Sequence, residues 1–163
     1  MAVNIWYHVG SANERPGRTG FAHLFEHLMF EGSGHVKEGG FDTLLEAAGG
    51  DNNGSTSEDR TNYWETVPSN YLETMLWIEA DRMGFLLGAL TQAKLDNQRD
   101  VVMNERRQSV ENVPYGPSED TRIHTLFAKD HPYYGNVIGS RGSVVESFRR
   151  LVAKGATTLP ITD

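Results

Sequence analysis

The feature that most constrains this chain is a five-residue run, His23-Leu24-Phe25-Glu26-His27, within the stretch GFAHLFEHLMFEGS. Residues three and four positions apart share one face of a helix, so a helical run projects His23, Glu26 and His27 together. Two imidazoles one turn apart form a clamp for a divalent cation, above all zinc. The carboxylate between them is well placed as a general base toward a metal-bound water. The run therefore predicts a helix that carries a metal site.

The residues around this run predict that the helix is buried. Most of its circumference is apolar, through Phe21, Leu24, Phe25, Leu28, Met29 and Phe30. Three polar groups on one stripe of a buried helix are costly unless something satisfies them together, as a metal and its water would. The alternative is a helix whose two histidines and glutamate bond to one another or to the backbone. The spacing H-x-x-E-H is that of the inverted zincins, so a zinc peptidase is the hypothesis to test.

Composition narrows the classes of ligand and partner. At 163 residues the chain is long enough for one domain with a real core. Its net charge of −7, with no basic cluster longer than Arg106-Arg107 or Arg149-Arg150, argues against a nucleic-acid partner. No apolar run approaches the roughly 18 to 20 residues that span a bilayer, and Met1 leads into strand-like sequence without a secretory signal, so no membrane association is predicted and the compartment stays open. Cysteine is absent, so a metal site must use His, Asp or Glu.

Hydrophobic periodicity predicts a mixture of strands and helices. Alternating apolar residues predict strands over 2–9 and 60–67. Besides the motif helix, the pattern predicts helices over 41–48, from Pro68 onward, and over 91–110, 119–127 and 144–152. This order favours an α+β fold over a doubly wound sheet. Two strands do not make a sheet that is stable alone, so residues 1–163 are predicted to form a single, partial domain.

Two further segments bear on the core and on the site. The helix after Pro68 repeats apolar residues at helical spacing, which predicts its buried face: Leu72, Met75, Leu76, Met83 and Leu86. Residues 51–57 are polar and contain glycine, so alternation predicts no strand there.

A catalytic zinc usually takes three protein ligands, and Glu105 in QRDVVMNERRQ is the strongest candidate for the third. It shares a helical face with Gln98, Val101 and Val102, and an acidic residue on such a partly apolar, inward face needs a partner such as a cation. The alternative is an ion pair with a nearby arginine. The remaining candidates by residue type are Glu31, Asp42, Glu58, Asp59, Glu65, Glu79, Glu111, His8, His35, His124 and His131.

Three blocks of the sequence, in order, resemble the pitrilysin family of inverted zincins, to which insulin-degrading enzyme and the mitochondrial processing peptidases belong. The blocks are YHVGSANERPGRTGFAHLFEHLMFEGS, GGDNNGSTSEDRTNYW and VVMNERRQ, and the likeness runs from about Val3 to near Phe148. The resemblance implies a mostly antiparallel sheet packed against helices. It also implies that His23, His27 and Glu105 bind Zn²⁺ and that Glu26 is the general base.

The resemblance also assigns roles around the metal. Asn53 matches an asparagine on a strand that borders the substrate cleft, which implies contact with the backbone of an extended peptide by strand addition. Its alternative is a turn residue beside Gly54. Gln98 stands where the family often has a second glutamate, so it is expected to support the site by hydrogen bonding without adding negative charge.

Departures from the family pattern qualify the functional prediction. A strand upstream of Ala2 is absent and the tail LVAKGATTLPITD differs, so the domain is expected to be incomplete at both ends. Family enzymes close a chamber with a second, related half, which implies a partner domain or subunit besides the peptide substrate. The predicted function is a zinc-dependent metalloendopeptidase that cleaves extended peptides. The alternatives are a non-catalytic partner subunit, a peptide-binding fragment that needs a second half, or a fragment whose site never forms because flanking strands are absent. Cobalt or manganese could replace zinc.

Overall fold

The strands form one antiparallel sheet. A computed structural model describes residues 1–15 and 17–134 of the chain. The strands are β1 (Ala2–Tyr7), β2 (Asp51–Thr56) and β3 (Thr61–Thr66). Their order is β1-β3-β2, so β3 is central and β2 lies at an edge of the described sheet. Ile5 of β1 and Gly54 of β2 both pair with Tyr63 of β3, which places these three residues on the same face.

The described chain also contains five α-helices, joined by loops. They are α1 (Phe21–Leu28), α2 (Gly40–Ala47), α3 (Leu72–Ala89), α4 (Gln92–Arg106) and α5 (Ser118–Leu126). Two 3₁₀ turns are described, Ser11–Asn13 before α1 and Ser69–Tyr71, which leads into α3, and a π-helical turn, Arg107–Glu111, extends α4. In the part of the chain that the structure describes, no helix has the length and apolar character needed to cross a membrane.

Apolar side chains form three clusters, and two of them hold α1. The largest joins α2 and α3 to the end of the sheet: Val36, Phe41, Leu45, Val67, Met75 and Ile78. The second joins α1 to α4 through Leu24, Leu28 and Val102. The third joins the end of α1 to β3 and α3 through Met29, Tyr63 and Leu86. The helix with the histidines is therefore packed against both the sheet and α4.

A buried ion cluster links β3 to α3. Arg82 of α3 is only 2% exposed, and its guanidinium donates to Glu79 and, at 3.2 Å, to Glu65 of β3. The same guanidinium lies 4.6 Å from the ring centre of Tyr63. Burial, and then the neighbouring Glu79 carboxylate, raise the pKa of Glu65 to about 8 against the opposing effect of Arg82. The α3–sheet interface thus contains charged as well as apolar groups.

The α+β class and the antiparallel sheet are confirmed, and most predicted elements begin and end within a few residues of the observed ones. The first strand ends at Tyr7 rather than at residue 9, and the helix predicted over 91–110 ends as an α-helix at Arg106. The predicted helix over 144–152 and the tail lie outside the described residues. The assignment of residues 1–163 to one partial domain stays a prediction.

Three expectations were wrong. Periodicity predicted no strand over residues 51–57, whereas residues 51–56 form one, as the family resemblance implied for the segment with Asn53. Pairing with β3 satisfies their backbone although their side chains show no apolar alternation. Leu76 and Met83 of α3 are 52% and 55% exposed, because the buried face of this helix is occupied in part by the Arg82 cluster. Val101 of α4 is also exposed, at 40%. Of the two valines that were predicted to face inward, only Val102 is therefore buried.

Candidate metal centre

The start of α1 is fixed by a glycine and by a carboxylate from the preceding loop. Gly20 has φ of 90°, in the left-handed region that favours glycine. The Glu14 carboxylate accepts hydrogen bonds from the backbone N–H groups of Gly20, at 2.8 Å, and Ala22, at 2.7 Å. Burial raises the pKa of Glu14, while these backbone bonds oppose that rise. The carboxylate satisfies N–H groups that the first turn leaves unpaired, so the loop sets where the helix begins.

The packing of α1 on α4 determines which α4 residues face the histidines. Leu24 and Leu28 are 1% and 2% exposed and pack with Val102. The partly buried side chains that support this contact are Phe21, Phe25, Leu90 and Leu95. Because Val102 is held against α1, residues one turn before and after it on α4 come beside the polar stripe of α1. Those residues are Gln98 and Glu105.

His23 and His27 face Glu105 across this interface. The Nε2 atoms of the two imidazoles lie 3.2 Å apart. The Oε2 atom of Glu105 lies 3.6 Å from His23 Nε2 and 3.2 Å from His27 Nε2. Within residues 1–15 and 17–134, these three form the one group of His, Asp or Glu side chains close enough together to hold a metal ion. The alternative of an ion pair with a nearby arginine is not what the structure describes. Arg106, next in sequence, pairs with Asp120, and the described ion pairs of Glu105 are with His23 and His27.

The donor set fits a tetrahedral metal such as zinc. Ligand bonds of about 2.1 Å in a tetrahedron separate neighbouring ligand atoms by about 3.4 Å, which the three observed separations bracket. Burial, and then His27, lower the pKa of His23, whereas Glu105 and Glu26 oppose the shift. Two neutral imidazoles cannot both donate across facing Nε2 atoms, but both can offer lone pairs to one cation. Among the described residues, His23 Nδ1 is buried without a hydrogen-bond partner.

Glu26 points from α1 toward the edge strand β2. Its Oε2 accepts a hydrogen bond from the Thr56 hydroxyl. The backbone of Gly54 comes so close that a Cβ on that residue would lie 3.1 Å from Glu26 Oε1 and 3.2 Å from its Cγ. The carboxylate therefore sits between the imidazole cluster and an edge of the sheet.

Gln98 lies behind His27, away from the donor cluster. Its Oε1 atom is 3.2 Å from His27 Nδ1, and its Nε2 atom is 2.5 Å from Glu31 Oε1. Glu31 is 7% exposed, and Lys94 Nζ donates to its backbone oxygen at 2.7 Å. Gln98 thus connects an imidazole of the donor cluster to a buried carboxylate.

Asn53 lies on β2 but on the face opposite to Glu26. It pairs with Trp64, whereas Gly54 pairs with Tyr63, which is 1% exposed on the helix-covered face. The Asn53 side-chain oxygen accepts a hydrogen bond from the N–H of Gly54 at 2.8 Å. Asn53 is therefore an exposed residue on an edge strand, and its contact with substrate stays a prediction.

Three of the other candidate ligands have partners outside the donor cluster. Glu65 and Glu79 bind Arg82 in the buried ion cluster. His35 Nδ1 lies 2.5 Å from Asp81 Oδ1. Glu65, Glu79 and His35 therefore have charged partners without a metal ion.

Sequence comparison gives the family. The sequence model described as insulinase (peptidase family M16) matches residues 1–137. The chain belongs to this family. Among its relatives are the zinc protease PqqE of Helicobacter pylori, 36% identical over 85% of this chain, and a zinc protease of Streptomyces coelicolor, 29% identical over 92% of it. The crystal structure of a protease from Helicobacter pylori superposes with a TM-score of 0.82 at 35% identity and covers 88% of this chain.

This M16 chain spans about a third of the length of the relatives it matches, namely 31% of the first, 33% of the second and 34% of the crystallised protease. The family resemblance predicted from the three sequence blocks is confirmed. The names of the relatives also agree with zinc as the expected metal. A second sequence model, described as polysaccharide biosynthesis protein, matches residues 118–163, a range that includes the tail that departs from the family pattern.

Two residues beside the M16 motif were missed as supporting groups. Thr56 belongs to β2, which hydrophobic alternation did not predict. Only the family block that contains Thr56 indicated that it could lie near Glu26. Glu31 was considered only as a metal ligand. Glu31 follows His27 by four residues, just beyond the end of α1, and this spacing was a signal that it could lie near that imidazole.

Proposed function

We propose that this chain carries the catalytic zinc site of a metalloendopeptidase, with His23, His27 and Glu105 holding Zn²⁺ and Glu26 as general base. The observation that carries the proposal is the convergence of two Nε2 atoms and one carboxylate oxygen, from two helices, at separations of 3.2 to 3.6 Å. Membership in the M16 peptidase family, with relatives named zinc proteases, supports the same conclusion.

When bound, zinc would supply Lewis-acid chemistry: polarisation of the scissile carbonyl, stabilisation of the oxyanion and a lower pKa for a water. The chain supplies the proton transfer. The Thr56 hydroxyl holds Oε2 of Glu26 and so orients the carboxylate that takes the proton of the attacking water. Glu26 then returns this proton to the leaving amine. His23 acts as a neutral donor, since burial lowers its pKa.

The substrate in this proposal is a peptide in extended form. In the part of the chain that the structure describes, no strand pairs with the outer edge of β2, and this edge runs past Glu26. A peptide that adds to β2 would bring its backbone beside the base and the donor cluster. Asn53 would contact the peptide backbone at this edge in place of its present bond to the Gly54 N–H.

A second, related domain or subunit is proposed to complete the substrate chamber. The chain accounts for about a third of the length of its relatives, so two thirds of a comparable protein lies beyond it. The alternative function is a non-catalytic partner, or a peptide-binding fragment, that relies on the missing part for activity. Measurements of metal and of cleavage therefore have to be made separately.

The test combines elemental analysis with peptide cleavage. Chain purified without chelators is expected to hold about one zinc. Glu26→Gln should keep the zinc and reduce cleavage of an unstructured peptide by about 10²- to 10⁴-fold. Replacing His23, His27 or Glu105 by Ala should release the metal. Glu46→Gln, on the exposed side of α2, is the matched control and should change neither.

Three results would contradict parts of the proposal. Absence of zinc after refeeding would reject the metal site. Near-normal turnover by Glu26→Gln would remove Glu26 from the mechanism. Zinc and peptide binding without cleavage, even with a related second half added, would favour the non-catalytic alternative.

A further inference from the structure

The Gln98 side chain can be oriented from its two neighbours. A carboxylate only accepts hydrogen bonds, so the amide NH₂ of Gln98 must face Glu31 Oε1, 2.5 Å away. The amide oxygen must then face His27 Nδ1, 3.2 Å away. Since an amide oxygen also only accepts, Nδ1 of His27 has to carry the proton. This leaves the Nε2 lone pair of His27 directed at His23 and Glu105.

The direction of this chain of hydrogen bonds depends on Glu31. Without its carboxylate, the Gln98 amide could rotate by 180° and present its NH₂ group to His27. The imidazole would then accept at Nδ1 and carry its proton on Nε2, where a metal could not bind. Glu31 is 7% exposed and its backbone is held by Lys94, so the carboxylate is a fixed part of the interior.

We infer that Glu31 is a positioning residue for the metal site: acting through Gln98, it holds His27 in the tautomer and orientation that present Nε2 to the ion. The inference rests on the proposed function for the role of the ion, but the hydrogen-bond chain exists in the protein without metal. Outer hydrogen-bond partners of metal-binding histidines contribute about 10- to 100-fold to metal affinity. Here the contributing carboxylate lies just beyond the end of α1, four residues after its imidazole, and the linking amide comes from α4.

The first readout is zinc affinity, measured by competition with a chelating dye. Glu31→Leu is expected to weaken zinc binding by about tenfold or more. Gln98→Leu should weaken it to a similar extent, and the double variant should be no weaker than either single one, because both changes break the same path. Glu38→Leu, which removes an exposed carboxylate from the same region, is the control and should bind like the wild type.

The second readout is the tautomer of His27 in metal-free protein, from its ring ¹⁵N chemical shifts at a pH where the imidazole is neutral. The wild type should carry the proton on Nδ1, and Glu31→Leu should shift it toward Nε2. Glu31→Gln keeps the size and one acceptor oxygen, so it should fold like the wild type and recover part of the Nδ1-protonated form.

The outcomes separate this inference from the proposed function. Zinc binding by the wild type with unchanged affinity and tautomer in Glu31→Leu would overturn the inference alone. A wild type that binds no zinc would overturn the proposed function, and the tautomer measurement would still decide whether Glu31 orients His27. Should Glu31→Leu fail to fold, an unchanged tautomer in Gln98→Leu would overturn the inference.

Discussion

At the scale of single residues, the position of Glu26 depends on the sheet as much as on its own helix. The α1 backbone places its Cα between the two histidines, but the carboxylate is held by the Thr56 hydroxyl and bounded by the Gly54 backbone. A general base works when its atoms lie within hydrogen-bond distance of the proton that it takes. Thr56 therefore contributes to the proposed reaction by fixing one carboxylate oxygen.

This arrangement gives a prediction for Thr56. Thr56→Val keeps the shape of the side chain and removes the hydroxyl, so the Glu26 carboxylate loses its fixed orientation. We expect kcat for peptide cleavage to fall by about 10- to 100-fold, since a hydrogen bond to a charged group contributes about 1.5–3 kcal/mol. KM and zinc content should change little. Thr56→Ser should restore kcat, and Thr66→Val, exposed on β3, should leave it unchanged; an unaltered kcat in Thr56→Val would show that Glu26 needs no such support.

At the scale of elements, the sheet and α3 are joined through a pair of carboxylates and one arginine. Glu65 and Glu79 are 3% and 2% exposed, and both bind Arg82. One guanidinium cannot neutralise two buried carboxylates, so a proton on the pair is stabilised. This is the physical reason that burial and Glu79 raise the pKa of Glu65 to about 8.

The raised pKa predicts how stability varies with pH. Folded Glu65 keeps its proton from its ordinary pKa of 4.5 up to about 8, whereas the unfolded chain releases it, so the free energy of unfolding should fall as pH rises through this window. The slope from one proton is at most about 1.4 kcal/mol per pH unit. Urea unfolding at several pH values should show a shallower slope for Glu65→Gln and the wild-type slope for Glu73→Gln, which is exposed on α3. Equal slopes in all three proteins would exclude Glu65 as the titrating group.

The same elements show what sequence could predict. Helices α1, α2 and α4 follow from apolar spacing and caps, which are local signals. Strand β2 does not, because its residues are typical of turns and its conformation comes from pairing with β3. Likewise, the buried face of α3 was predicted from apolar residues alone, although Glu79 and Arg82 share it.

For the site, local spacing predicted the residues of α1 and singled out Glu105 among many acidic residues. The family resemblance was then needed to assign roles to Glu105 and Gln98. Thr56 contacts Glu26, which is 30 positions away in the sequence. Glu31 contacts Gln98, which is 67 positions away. No spacing rule within one element reaches across such separations. These contacts became visible only when α1, α4 and β2 were packed together.

At the scale of the whole molecule, a metal ion would link distant parts of the chain. His23 and His27 belong to α1, and Glu105 belongs to the end of α4, beyond the whole sheet and α3 in sequence. The donors are brought together by folding, so zinc should bind the folded state in preference to the unfolded state. Ligand binding of this kind raises stability in proportion to the logarithm of the free ligand concentration.

Zinc removal is therefore expected to lower stability. At free zinc about 100 to 1,000 times its Kd, the free energy of unfolding should exceed that of chelator-treated protein by about 2.7–4.1 kcal/mol. Glu105→Ala should lose most of this increment, while Asp100→Ala, exposed on the same helix, should keep it. Thermal unfolding with and without zinc measures the difference. An equal zinc response in Glu105→Ala would show that the stabilising ion binds elsewhere.

The alternation of β2 has a further consequence for how such a molecule would choose cleavage positions. Gly54 and Thr56 face Glu26, whereas Asn53 faces the other side of the sheet. A peptide bound along this edge could slide past the base only in steps of two residues if each of its side chains is to stay on the same side. Preferences for particular side chains should therefore recur at every second substrate position. In a peptide that strictly alternates two residue types X and Y, cleavage should occur either only at X-Y bonds or only at Y-X bonds.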